Sequence, residues 1–147
     1  MNVADLRGLF FLDTNIFVYS FDEDNPQKQV TAQNLIREAL RTQRGVISTQ
    51  VVQEFLSVAL RKFAHPLTVS ESREYLKTVL MPLCRHNPST DFYDRALLLR
   101  EETGFAFYDA LVIAAAVESE CSTLLSEDLQ HKQKVRTLTI LNPFLES

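Results

Sequence analysis

Asp109 is the only ionisable side chain in a long apolar segment that runs from Phe105 to Val117. Apolar residues fill nearly every position of this segment, which predicts a helix buried in a core. A lone carboxylate in such a helix costs several kcal/mol or takes up a proton, unless a positive group compensates it. No lysine or arginine lies within one helical turn, so the candidate compensators are a metal ion or a partner distant in sequence. The alternative is that Asp109 caps a helix that begins at Ala110, because helix starts favour aspartate.

Three other acids stand at the ends of predicted elements. Asp13 follows the apolar run of residues 9–12, which is typical of a strand buried on both faces of a parallel sheet. Asp128 follows another short apolar segment, and Glu54 lies near the start of a helix, off its apolar stripe. Open α/β sheets bind ligands beyond the carboxyl ends of their strands, so these acids are candidates for one common site. Helix capping by Asp13 and a solvated surface position for Glu54 remain open as alternatives.

Four short segments contain these acids in a characteristic order. They are Leu12-Asp13-Thr14-Asn15, Val52-Gln53-Glu54-Phe55, Tyr108-Asp109-Ala110-Leu111-Val112-Ile113-Ala114-Ala115-Ala116 and Leu125-Ser126-Glu127-Asp128-Leu129. Together they resemble the four acidic motifs of PIN domains, and most closely those of the VapC-type toxins of bacterial toxin–antitoxin pairs. The resemblance extends over nearly the whole chain. The first and third motifs are specific in combination, whereas the second and fourth gain weight from their order and spacing.

The resemblance implies a metal-dependent endoribonuclease that acts as a toxin, binds a cognate antitoxin protein and forms a homodimer. The residues it implies as catalytic groups and metal ligands are Asp13, Glu54, Asp109 and Asp128. Ligation by oxygen atoms alone favours Mg²⁺ or Mn²⁺ over zinc. Water activated at the metal would attack phosphorus in line, leaving a 5′-phosphate and a 3′-hydroxyl without use of the 2′-hydroxyl. Asn15 and Ser126 are candidates to orient the ligand carboxylates through hydrogen bonds.

The overall charge of the chain is unfavourable for nucleic-acid binding. The formal net charge is −4, and phosphate contacts need cations. Divalent metal bound to the acids would reverse the sign of the local charge. A basic stretch just beyond the fourth acid supplies Lys132, Lys134 and Arg136 as candidates to bind the RNA backbone, with a solvated loop as the alternative.

Positioning the four acids at one edge requires a layered α/β fold. Periodicity predicts strands near residues 9–12, 46–48, 123–125 and 137–140, with a weaker edge strand near 81–86 because of Pro82. Besides the helices of the second and third motifs, it predicts helices over residues 15–21, 27–42, 70–80 and 89–102. Ser48 or Thr49 is expected to cap the second-motif helix, and Ser70 to begin the helix over 70–80 with a partial cap. The elements indicate a three-layer α/β/α sandwich with a mostly parallel central sheet.

Length and composition limit the class of protein. The 147 residues are expected to form a single domain, residues 1–147. The composition, with 46% hydrophobic and 23% charged residues, is typical of a globular protein. No apolar run approaches the roughly 20 residues that span a bilayer, and the start lacks the features of a signal peptide. Cys84 and Cys121 are too few for a disulfide framework, which favours unreactive thiols in a reducing cytoplasm.

Rival classes share part of the pattern. A receiver domain needs an acidic pair after its first strand and a lysine after its last, whereas Asp13 stands alone and residues 137–144 contain no lysine. A phosphatase with a nucleophilic aspartate has a second aspartate two residues later, where this chain has Asn15. The remaining alternative is a PIN-like module that binds RNA or acts as a scaffold without catalysis. The presence of all four acids favours the nuclease.

Overall fold

Strands and helices alternate along the chain in a computed structural model that describes residues 1–145. The strands are β1 (Leu9–Leu12), β2 (Gly45–Ser48), β3 (Cys84–His86), β4 (Cys121–Leu125), β5 (Lys134–Val135) and β6 (Leu138–Leu141). The helices are α1 (Thr14–Tyr19), α2 (Pro26–Thr42), α3 (Thr49–Arg61), α4 (Val69–Tyr75), α5 (Met81–Leu83), α6 (Thr90–Thr103) and α7 (Phe107–Glu118). A 3₁₀ turn at Val3–Asp5 precedes β1, and a π-helical turn at Leu76–Leu80 joins α4 to α5.

The strands form one sheet in the order β3-β2-β1-β4-β6-β5. All neighbours are parallel except β5 and β6, which form an antiparallel hairpin at one edge. Crossover connections through helices place β1, β2 and β4 side by side with their carboxyl ends at the same edge. The predicted α/β fold with a mostly parallel central sheet is confirmed, and the acids that follow β1 and β4 therefore start from adjacent strands.

The core explains the apolar character of the central elements. Phe10, Phe11 and Leu12 of β1 are fully buried, as expected for a strand covered on both faces. Close packing between layers also requires the absence of a side chain at Gly45, because a Cβ there would lie 2.3 Å from the Cβ of Ala39 on α2. The strand β1 is thus covered on both faces, and the first acidic motif leaves the sheet at its carboxyl end.

One of the two predicted helix caps is confirmed and the other is wrong. Ser48 caps α3, and its side chain accepts a backbone N–H of the first turn, as predicted. The prediction that Ser70 opens the next helix is wrong. Thr68 is the N-cap of α4, and it forms a complete capping box with Glu71 through hydrogen bonds of 3.0 and 2.9 Å. The box satisfies two backbone N–H groups that would otherwise lack acceptors, and the N-cap therefore lies two residues earlier than expected.

The segment around Pro82 also differs from the prediction. Residues 81–83 form the short helix α5, and the strand occupies only Cys84–His86. Pro82 follows the π-helical turn in an uninterrupted helical run over residues 69–83, and it has no N–H to donate to a strand ladder. The strand β3 is nevertheless an edge strand, as expected. The short strand β5 was not predicted. No helix within residues 1–145 is long and apolar enough to cross a membrane.

Candidate active site

Asp13 lies at the junction of β1 and α1, where it is both the N-cap of the helix and a buried carboxylate. Its Oδ1 accepts the backbone N–H of Thr14 at 2.7 Å, and its Oδ2 accepts the hydroxyl of Ser126 at 2.8 Å. Only 9% of the residue is exposed. Burial raises the pKa of Asp13 to about 6, with smaller contributions from the charges of Asp128 and Glu54, against the lowering effect of the two hydrogen bonds. The capping alternative is confirmed, and it is compatible with a position in a group of acids.

Asp128 lies in the loop that follows β4 and is joined directly to the first motif. The Asn15 side-chain amide donates a hydrogen bond to its Oδ2 at 2.7 Å, and its backbone N–H donates to the Ser126 hydroxyl at 3.3 Å. Ser126 therefore bridges Asp13 and the backbone of Asp128. The two residues predicted to orient carboxylates, Asn15 and Ser126, are both placed to do so.

Glu54 is exposed on the second turn of α3 and faces α1. The Thr14 hydroxyl donates to its Oε2 at 3.4 Å, and the Gln50 amide donates to its Oε1 at 2.5 Å. The same Gln50 nitrogen lies 3.5 Å from the backbone carbonyl of Tyr108 on α7. Gln50 was not singled out from the sequence, although its position four residues before Glu54 was a usable signal. Its contact with α7 is tertiary and left no sequence signal.

Asp109 lies in the first turn of α7, which begins at Phe107 after the N-cap Ala106. The alternative of a helix that begins at Ala110 is therefore wrong. The expectation of a wholly buried helix is also wrong at this end, since Tyr108 is 67% exposed while residues 110–116 are buried. Asp109 is partly buried at the boundary between these two regions. Partial burial raises its pKa, and the negative charge of Asp128 adds to the effect.

The four acids form a like-charged group that has no ion pair with a basic side chain within residues 1–145. Among residues 1–145 the ion pairs are Lys28–Glu127, Arg41–Glu38, His86–Glu118, Arg95–Glu118 and Arg136–Glu102, and none includes any of the four. The hydrogen-bond donors at the acids are the uncharged groups described above. Burial raises the pKa values of Asp13 and Asp109, and repulsion from the neighbouring carboxylates adds a smaller contribution.

The donor set has the chemistry of a hard-cation site, because every candidate ligand is a carboxylate oxygen. In the conformation described for residues 1–145, no three Asp, Glu, His or Cys side chains are gathered closely enough to hold a metal ion. Glu54 and Asp128 are exposed, so their carboxylates have room to turn toward Asp13 and Asp109. The residues thus fit a divalent cation by donor type and charge.

The predicted RNA-binding residues lie on the β5 edge and its flanking turns, and all three are exposed. Arg136 donates to Glu102 on α6 at 2.9 Å. Within the described part of the chain, no hydrogen bond joins Lys132, Lys134 or Arg136 to the four acids. Arg136 is therefore already neutralised by a neighbour, whereas the two lysines extend into solvent beside the β5–β6 hairpin.

Fold and site together define an α/β domain that collects acids at the carboxyl edge of a parallel sheet. A family model described as PIN domain matches residues 10–136, which is most of the chain. The chain belongs to the PIN domain family. The matched range includes all four acidic motifs.

Solved structures share this fold at low sequence identity. A toxin–antitoxin complex from Klebsiella pneumoniae superposes with a TM-score of 0.62 at 18% identity, covering 90% of this chain and 96% of that one. VapBC2 from Rickettsia felis, bound to a promoter DNA fragment, gives a TM-score of 0.60 at 17% identity with the same coverage, 90% and 96%. VapC20 from Mycobacterium tuberculosis, a sarcin–ricin-loop-cleaving toxin, gives 0.55 at 17% identity, covering 81% and 91%. No curated protein matches the chain by sequence.

Proposed function

We propose that this PIN domain is a divalent-metal-dependent endoribonuclease and the toxin of a toxin–antitoxin pair. The observation that supports the proposal most strongly is the group of four acids that lacks a basic partner within residues 1–145. A fold that keeps a buried carboxylate with a pKa of about 6 beside other acids bears a cost in stability. A bound cation removes that cost, and clustered carboxylates whose pKa values are raised are typical of functional sites.

Mg²⁺ or Mn²⁺ is the proposed cofactor. Asp13 and Asp109 are the proposed main ligands, with Glu54 and Asp128 completing the site directly or through water. A divalent ion held by these residues would supply an activated water for in-line attack on phosphorus and charge stabilisation for the leaving oxygen. Its positive charge would also offset the repulsion between the acids and a phosphodiester.

The residues of the chain itself supply orientation. The Ser126 hydroxyl and the Thr14 amide each hold one oxygen of Asp13, which fixes the plane of that carboxylate. Asn15 holds one oxygen of Asp128 and leaves the other available. The exposed amino groups of Lys132 and Lys134 are the proposed contacts to the RNA backbone, because cations supply sequence-independent affinity for phosphates.

Solved structures with a similar fold support the proposed substrate and partner. One neighbour is described as a toxin that cleaves the sarcin–ricin loop, which supports RNA as the substrate of this chain. Two others are described as a toxin–antitoxin complex and as VapBC2, which supports a cognate antitoxin protein as partner. A homodimer and a cytoplasmic location complete the proposal.

The test is cleavage of bulk cellular RNA by purified protein free of any partner. Wild type, Asp109→Asn and the control Asp94→Asn would each be assayed with Mn²⁺, with Mg²⁺ and with a chelator. Asp94 is an exposed residue of α6 outside the four motifs, and its substitution removes the same charge. We expect metal-dependent cleavage by wild type and Asp94→Asn and none by Asp109→Asn. Cleavage that survives the chelator, or that Asp109→Asn retains, would contradict the proposal. Absence of cleavage by folded wild type in every condition would favour the non-catalytic RNA-binding or scaffold alternative.

A further inference from the structure

We propose that Tyr19, Lys28 and Glu127 form a clamp that positions Asp128 for metal binding. The inference rests on the proposed function, because it assigns these three residues a role in the same site. None of them belongs to the four acids, and within residues 1–145 no hydrogen bond or ion pair joins their side chains to those acids. They act on the loop that bears Asp128, so they are positioning residues.

The clamp is a closed set of contacts around the Glu127 carboxylate. The Tyr19 hydroxyl donates to Glu127 Oε1 at 2.9 Å, and Lys28 Nζ lies 3.2 Å from Oε1 and 3.0 Å from Oε2. Lys28 Nζ also lies 3.3 Å from the Tyr19 oxygen and 4.6 Å from the centroid of the Tyr19 ring. The side chains of Lys28 and Glu127 are 35% and 26% exposed, so the ion pair is partly shielded from solvent. Partly shielded pairs are screened less than surface pairs.

The aromatic ring of Phe144 closes one side of the clamp. It packs edge-on against Tyr19 with centroids 5.0 Å apart, and Lys28 Nζ lies 5.7 Å from its centroid. The ring limits the rotamers open to Tyr19 and Lys28. The clamp thus joins α1, α2 and the segment after β6 to the loop after β4.

One face of α1 holds two consecutive residues of that loop. Asn15 and Tyr19 are four residues apart, so their side chains project from the same side of the helix. Asn15 donates to Asp128, and Tyr19 donates to the preceding Glu127. The exposed Asp128 side chain has only the hydrogen bond from Asn15 within the described residues, so its location depends on where the loop backbone is held. Two residues hold the backbone on the β4 side of Asp128: Ser126, whose hydroxyl accepts the Asp128 N–H, and Glu127, whose carboxylate is held by Tyr19 and Lys28.

Replacement of Lys28 distinguishes the positioning effect of the clamp on Mn²⁺ affinity from the direct electrostatic effect of the lysine charge. Lys28→Met keeps most of the side-chain stem but deletes the positive charge that is paired with Glu127, the residue next to Asp128. Coulomb's law alone predicts that loss of a cation tightens the binding of Mn²⁺. The clamp predicts the opposite, because a released loop must be ordered again when the metal binds. We expect Lys28→Met and the uncharged change Tyr19→Phe each to weaken Mn²⁺ binding by about threefold or more, below the 10- to 100-fold typical of groups that touch a ligand directly.

The experiment combines Mn²⁺ titration, followed by electron paramagnetic resonance of the free ion, with amide hydrogen exchange. Exchange of the Asp128 N–H, which donates to Ser126, reports the loop without metal. We expect faster exchange in Lys28→Met, Tyr19→Phe and Glu127→Gln. The control Glu102→Gln breaks the Arg136–Glu102 pair on the other side of the molecule, and we expect it to change neither quantity.

Two results would overturn the clamp. One is Mn²⁺ affinity in Lys28→Met that equals or exceeds that of wild type, and the other is unchanged exchange at Asp128 in all three clamp variants. Failure of the proposed function looks different, because wild type itself would then bind no Mn²⁺ and cut no RNA. In that case the exchange rates alone would decide whether the three residues hold the loop.

Discussion

Replacing the buried acid of the first motif is expected to stabilise the metal-free protein. Asp13 is 9% exposed and its pKa is raised from an ordinary value of 3.8 to about 6, chiefly by burial. A displacement of this size corresponds to roughly 3 kcal/mol between the charged and neutral forms. The folded protein therefore carries an ionised group at pH 7 that the unfolded chain accommodates more easily.

The direction of the pH dependence follows from proton binding. Between about pH 4 and pH 6 the folded state holds a proton on Asp13 that the unfolded state has lost, so this group makes stability fall as pH rises through that window. Above about pH 6 both states are ionised and the full cost is present. Below about pH 4 both are neutral and the cost vanishes.

The substitution Asp13→Asn removes the ionisation while preserving the cap. Asparagine is as good an N-cap as aspartate, so its side-chain oxygen can still accept the Thr14 N–H. The new amide group must find its acceptor at the Ser126 hydroxyl, which will reduce the gain. We expect Asp13→Asn to be more stable than wild type by roughly 1 to 3 kcal/mol at pH 7 and to match it below about pH 4.

Urea denaturation of metal-free protein at several pH values measures this difference directly. Asp94→Asn is the matched control, because the same charge is removed from an exposed helix surface, where we expect a change within about 0.5 kcal/mol. A less stable Asp13→Asn protein at pH 7, or a gain of equal size at pH 4 and pH 7, would refute the view that burial and like charge destabilise this site.

Three further predictions test other parts of the site and fold. Asp109→Asn should abolish RNA cleavage without changing the circular dichroism spectrum. Its melting temperature should be equal to or higher than that of wild type, because the substitution removes a partly buried charge and its repulsion from Asp128. An unfolded variant would show instead that Asp109 is needed for the helix. Asp128→Ala should weaken Mn²⁺ binding less than Asp13→Ala does, because Asp128 is exposed and is proposed as a secondary ligand. Calorimetry measures both affinities, and equal losses would contradict the ranking of Asp13 above Asp128. Gly45→Ala should destabilise the protein by about 1 to 3 kcal/mol in denaturant, because its Cβ would meet Ala39 at 2.3 Å; a stability equal to wild type would show that the layers can separate there.

The positions of the acids relative to the strands followed from the sequence because buried strands have a distinct composition. The run before Asp13 is apolar at every position, and parallel strands deliver their carboxyl ends to one edge. Asp128 was placed by the same reasoning. The degree of burial of Asp109 was not predictable in this way. The apolar character of α7 continues into its first turn, yet that turn is exposed to solvent. Composition identifies a helix that can be buried, whereas the neighbouring elements determine how much of it is covered.

Contacts between distant residues account for the rest. The Tyr19–Glu127 hydrogen bond joins residues separated by 108 positions, and the local sequence around either residue does not predict this contact. Thr68 and Glu71 are different, since their spacing is a known capping pattern that can be recognised in the sequence, although Ser70 was predicted as the cap.

The chemical nature of the RNA ends is the most direct test of the claim that these carboxylates direct metal-dependent hydrolysis. RNA digested by wild-type protein with Mg²⁺ or Mn²⁺ would be analysed for its terminal groups and compared with a substrate that lacks the 2′-hydroxyl at the cleaved position. We predict 5′-phosphate and 3′-hydroxyl ends, formed only with metal and still formed on the deoxy-substituted substrate. Cyclic 2′,3′-phosphate ends, or loss of cleavage when the 2′-hydroxyl is removed, would contradict the proposed chemistry.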